Sequence, residues 1–139
     1  QGLKVHFYYS HIDWTRDDYP MGRTGRGTGK DPDKANWKSY YDFMNNQLTE
    51  LIKNYDPDAI WFDGWWDHDE DKTPFNWELP AQYQLIHSLK PSILIANNHH
   101  QTPFEGEDFQ IFERTSREKI MQVSVVKRLV ASLLKLARQ

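Results

Sequence analysis

Ile60-Trp61-Phe62-Asp63-Gly64-Trp65-Trp66 is a short apolar run that delivers a carboxylate, a glycine and two tryptophans. Ahead of it, Tyr55-Asp56-Pro57-Asp58 ends whatever precedes, because a residue before proline is pushed out of the helical region. Ala59–Phe62 therefore reads as a buried strand with Asp63 on its C-terminal tip. In barrels and open sheets of parallel strands, that tip is where ligands bind. Trp65 and Trp66 add flat faces of the kind that pack on the C–H groups of a sugar. The other reading is a surface aspartate capping the next segment, with the tryptophans in the core.

Working upstream, Trp37, Tyr40, Tyr41, Met44, Leu48, Leu51 and Ile52 recur at three- and four-residue spacing. They predict a core-facing helix to about Asn54, capped by Asp33 or Asn36. Leu3–Tyr9 is β-branched and aromatic and predicts a strand, which ends in Ser10-His11-Ile12-Asp13-Trp14. Helix and flanking strands make a crossover of the right length for parallel pairing. Between them, Gly22, Gly25, Gly27 and Gly29 lie among Arg16, Arg23, Arg26 and Lys30. The spacing fits neither a P-loop nor a dinucleotide fingerprint, so a mobile polar loop is expected.

Downstream, Asp67, Asp69, Asp71 and Glu78 match an EF-hand loop at positions one, three, five and twelve. Lys72 stands where that loop needs glycine, and a strand leads in, so a solvated acidic loop is the expectation. Leu79–Leu89 predicts a short helix stopped ahead of Pro91. Ser92–Ala96 predicts a third strand whose tip carries Asn97-Asn98-His99-His100. Adjacent residues on a strand end face opposite ways, so the two histidines make no metal clamp. They and the asparagines suit hydrogen bonding to a polyhydroxylated ligand, or simple loop capping. Phe109–Phe112 predicts a fourth strand ending at Glu113, and Arg117–Gln139 an amphipathic helix lying over the sheet.

Strands alternating with helices indicate an α/β chain with a parallel sheet. Asp63 and Glu113 end alternate strands, which in a barrel face one cavity. Two carboxylates around tryptophan, histidine and asparagine point to glycoside hydrolysis, by retention where they stand about 5–5.5 Å apart. Composition bounds the alternatives. The 139 residues allow one domain, with no cysteine and a net charge of −3. That charge argues against nucleic acid, no run is long enough to cross a membrane, and no zinc spacing occurs. The start at Gln1 leads us to expect a processed or trimmed chain; the compartment stays open.

Tyr8-Tyr9-Ser10 with Asp13-Trp14, Gln47-Leu48-x-Glu50-Leu51, Ile60–Gly64, Asn97-Asn98 and Gly106-x-Asp108-Phe109-x-x-x-Glu113 occur in that order. Together they resemble the α-L-fucosidases of glycoside hydrolase family 29, over nearly the whole chain. The resemblance implies metal-free, retaining cleavage of α-L-fucosides on a TIM-like barrel. It implies Asp63 as nucleophile and Glu113 as acid/base, with Glu105 and Glu107 as weaker candidates. His11, Trp14, Trp65, Asn98, His99 and His100 would form the sugar pocket. A TIM barrel takes about 250 residues, so the expectation is a single truncated domain over 1–139, a half-barrel of about four parallel strands. The family's early strands with their histidine pair, its last strands and its accessory β-sandwich are not matched. Open sheet edges template pairing, so a homo-oligomer completing the barrel is expected. The competing readings are a non-catalytic fucose-binding module and an inactive fragment, and transfer of fucose to sugar acceptors stays open beside hydrolysis.

Overall fold

The computed structural model describes residues 2–111. Glu113 and the expected helix Arg117–Gln139 lie outside the described residues. Four strands, β1 (His6–Ser10), β2 (Ala59–Asp63), β3 (Leu94–Asn97) and β4 (Phe109–Gln110), form one sheet in the order β1-β2-β3-β4. Every pairing is parallel. Two helices, α1 (Trp37–Tyr55) and α2 (Leu79–Leu89), supply the crossovers between β1, β2 and β3. This is the α/β arrangement the alternation predicts, and it is consistent with part of a TIM-like barrel.

Local chemistry sets the element ends. The Asn36 side chain accepts from Ser39 N–H and starts α1, satisfying one of the amide groups a helix start leaves without partners. Asp33 instead lies in a separate short turn, Pro32–Lys34, which Asp31 caps. Helix α1 stops at Asp56, in a left-handed conformation, ahead of Pro57. Strand β1 starts at His6 rather than Leu3, because its partner β2 begins at Ala59. Val5 still accepts from Asp58 and Ala59 N–H, whereas Leu3 is exposed. Strand β3 likewise runs two residues later than expected at its start and one later at its end.

Register divides the sheet into two faces. Tyr9, Phe62, Asn97 and Gln110 lie on one face, and Tyr8, Trp61, Ala96 and Phe109 on the other. The first face is the core. Ile60, Phe62 and Ile95 meet Tyr40, Met44, Leu48 and Ile52 of α1, and Leu79, Tyr83 and Ile86 of α2, all buried. Each such side chain contributes roughly 1.5–3 kcal/mol by leaving water. On the second face Tyr8 is 56% exposed and Leu94 43%, and Ile111, just past β4, is 37% exposed. Among the described residues, this apolar face has no helix over it. Asp63 ends β2 on that same face.

Candidate functional site

Asp63 follows four buried or half-buried strand residues, so its backbone is fixed while its carboxylate clears the sheet. Asp63 is 7% exposed, and four donors converge on its carboxylate. Its Oδ1 accepts from Gly64 N–H at 2.8 Å, the Trp66 indole N–H at 3.2 Å and Asn98 Nδ2 at 3.2 Å. Its Oδ2 accepts from the Tyr8 hydroxyl at 2.9 Å. Gly64 is needed for a tight approach. Its φ is +106°, and a Cβ there would stand 2.8 Å from Ile12 Cγ1. The turn Trp65–His68 that follows swings Trp66 back towards the carboxylate.

The expected pocket residues divide by depth. Asn98 reaches Asp63 directly, and its Oδ1 is 2.7 Å from His100 Nε2. His100 is exposed and adopts a positive φ of 59°. Trp65 is half-buried, its ring centroid 6.4 Å from that of His99. Trp14 is 46% exposed on the loop after β1, its indole N–H donating to Thr24 Oγ1 at 3.0 Å.

The other two histidines are interior groups. His11 stacks on Phe62 at 4.7 Å and lies 2.8 Å from Gln82 Oε1 through Nε2. Its Nδ1 has no hydrogen-bond partner among the described residues. Burial lowers its pKa to about 4, against the pull of the Gln82 hydrogen bond and the nearby Asp63. His99 is paired with Glu107 at 2.6 Å, with both side chains fully enclosed. The Tyr83 hydroxyl donates to the same Glu107 oxygen at 2.8 Å and accepts from Asn97 Nδ2 at 2.7 Å. Glu107 is thus held in a buried network, whereas Glu105 is exposed on the loop before β4.

Two loop expectations need correction. Asp67, expected in a solvated acidic loop, is fully buried. It accepts from Tyr19 Oη at 2.6 Å, Gly22 N–H at 3.1 Å, Thr24 N–H at 2.7 Å and the Thr24 hydroxyl. Burial alone would raise its pKa, yet those hydrogen bonds together hold it below the usual carboxylate range. The neighbouring His68 stacks on Phe75 at 4.1 Å, with Nδ1 against Asp71 and Nε2 against Pro20 O. The glycine-rich segment is therefore fastened at Gly22–Thr24, where a mobile loop was expected. A Cβ at Gly22 would stand 2.6 Å from the Asp67 carbonyl carbon and closer still to its oxygen. Gly22→Ala should cost about 1–3 kcal/mol through overpacking, read as a lower urea midpoint with unchanged slope.

Sequence reasoning missed Tyr8 and Trp66 as partners of Asp63. The signal for Tyr8 was strand parity: it neighbours Trp61 on the face that also carries Asp63. Trp66 carried none, because only the turn geometry brings it back.

A parallel sheet that presents a hydrogen-bonded carboxylate at its C-terminal tips has the site architecture of (β/α)-type enzymes. The family model for alpha-L-fucosidase matches residues 1–128, and the chain belongs to that family. No curated protein matches it.

Proposed function

We propose that the protein is a retaining exo-glycosidase that removes terminal α-L-fucose, with Asp63 as nucleophile and Glu113 as acid/base. The observation that carries this is the Asp63 carboxylate itself. Three donors hold Oδ1, while Oδ2 takes a single hydroxyl, which leaves Oδ2 the freer oxygen for attack. Oδ2 bonds to the anomeric carbon as the glycosidic C–O bond breaks, and the Glu113 carboxyl protonates the leaving oxygen. The Glu113 carboxylate then takes a proton from water, whose oxygen displaces Asp63 and releases fucose with its configuration retained. A sugar hydroxyl in place of that water gives transfucosylation. Glu113 as acid/base rests on the family resemblance, by its spacing from Asp108-Phe109. Trp14, Trp65, Asn98 and His100 form the pocket, with His11 and His99 supporting it from behind.

The test is release of aryl alcohol from an aryl α-L-fucoside by the full chain, with the first-formed anomer followed by NMR. Release with α-fucose appearing first is expected. Absence of turnover with a fucose-induced rise in melting temperature would establish the binding-module reading, and no response to either an inert fragment. We further infer that a second copy covers the exposed face of Tyr8, Leu94 and Ile111, as such apolar surface favours association. A monomer by light scattering at micromolar concentration would overturn that.

A further inference from the structure

The segment Tyr19–Thr24 is joined to the turn after β2 by Arg23 N–H on the Asp67 carbonyl, by His68 against Pro20 O and, at four points, by the Asp67 side chain. Each carboxylate oxygen of Asp67 accepts two donors: Tyr19 Oη and Gly22 N–H on Oδ2, Thr24 N–H and Oγ1 on Oδ1. An amide cannot replace it, because whichever way an asparagine turned, its NH₂ would face a pair of donors. The position thus demands four acceptor sites on two oxygens, far more than a capping aspartate uses.

What the fastened segment holds is Trp14. The Thr24 hydroxyl that donates to Asp67 also accepts the Trp14 indole N–H at 3.0 Å. Gly25, at φ +71°, lays its backbone on the ring, where a Cβ would stand 2.7 Å from Trp14 Cδ1. Trp14 nevertheless stays 46% exposed. A large aromatic side chain that is open on one side, yet fixed at its N–H and its other side, is preorganised for a ligand. Its ordering cost is met before binding. The loop bearing it touches the site, since Ile12 packs against Gly64 beside Asp63. Between Gly22 and Thr24, the Arg23 guanidinium lies 5.3 Å over the Trp66 ring, whose N–H donates to Asp63.

We propose that Asp67 is a positioning residue that fastens the Tyr19–Thr24 loop over the tip of β2 and, through the Thr24 hydroxyl, fixes Trp14 as an aromatic wall for the fucoside. This rests on the fucosidase reading of the site. It makes Asp67 act mainly on binding, through Trp14, and secondarily on Asp63, through Arg23 and Trp66.

The test uses the full chain with Asp67→Asn, Thr24→Val and Thr24→Ser. Thr24→Val removes the shared hydroxyl but keeps the backbone N–H on Asp67, and Thr24→Ser returns the hydroxyl. Two readouts are taken: hydrogen exchange of the Trp14 indole N–H, assigned with Trp14→Phe, and KM against kcat on an aryl α-L-fucoside. Thr24→Val should speed indole exchange and raise KM, each by about two- to tenfold, the value of one hydrogen bond. The change in kcat should be smaller, and Thr24→Ser should restore both readouts. Asp67→Asn should shift both further and lower kcat as well. Unaltered indole exchange in Thr24→Val overturns the clamp, and faster exchange with unaltered KM overturns its role in binding. If the native chain cleaves no fucoside, the functional reading has failed separately, and the exchange experiment still decides the clamp.

Discussion

Asp63→Gly is expected to lower aryl α-L-fucoside turnover by at least about 10³-fold, the scale on which losing a covalent nucleophile acts, and added azide to restore it. Glycine removes the oxygen proposed to attack and leaves a hole at the tip of β2, floored by Gly64 N–H, Asn98 Nδ2 and the Trp66 indole. Azide seated there approaches the anomeric carbon from the face Asp63 would use, so the product is β-fucosyl azide. The variant also removes the acceptor of Asn98 Nδ2 and the Trp66 indole, at a cost of roughly 1–3 kcal/mol. A melting curve beside the assay therefore separates lost chemistry from lost fold. Full turnover by Asp63→Gly, or an α-configured azide product, would remove Asp63 from the role of nucleophile.

The second large effect is on stability against pH. His11 has a pKa of about 4 in the folded chain because burial disfavours its charged form, whereas the unfolded chain titrates near 6.5. Above pH 6.5 both states hold it neutral and it contributes no pH dependence. Below 6.5 the unfolded state binds the proton first, so folding stability falls as pH drops. The loss reaches about 3 kcal/mol at pH 4 and levels off below that. His11→Gln retains a group able to donate to Gln82 and does not titrate. It should be the less stable protein at pH 7.5, yet its deficit against the native chain should shrink by about 3 kcal/mol by pH 4. Urea unfolding at pH 7.5, 5.5 and 4 measures this. A constant gap would show that His11 is not the acid-sensitive group.

Much of the fold was legible because its signals are local. Pro57 after a nineteen-residue helix and an apolar run before Asp63 place β2 without knowledge of any partner. The apolar spacing of Tyr40, Met44, Leu48 and Ile52 marks the face of α1 that is buried. Asp63 was legible as a strand-tip carboxylate for the same reason. The order and parallel pairing of the strands followed from the crossover lengths.

The polar side chains were legible only by type. Nothing in Asp67-His68-Asp69-Glu70-Asp71 distinguishes Asp67, buried under Tyr19 and Thr24, from Glu70 in solvent. The difference comes from donors forty-three to forty-eight residues away. His11 and His99 look like ligand groups in sequence, and the structure encloses them because Gln82 and Glu107 arrive beside them. Where the chain turns, which helix faces seek the core, and that a carboxylate ends the central strand can all be read from local residue order. Folding alone settled which polar groups stay open to solvent and which are satisfied inside. Apolar burial follows a pattern along the chain, but a hydrogen bond requires one particular partner at one distance, and only folding brings that partner there.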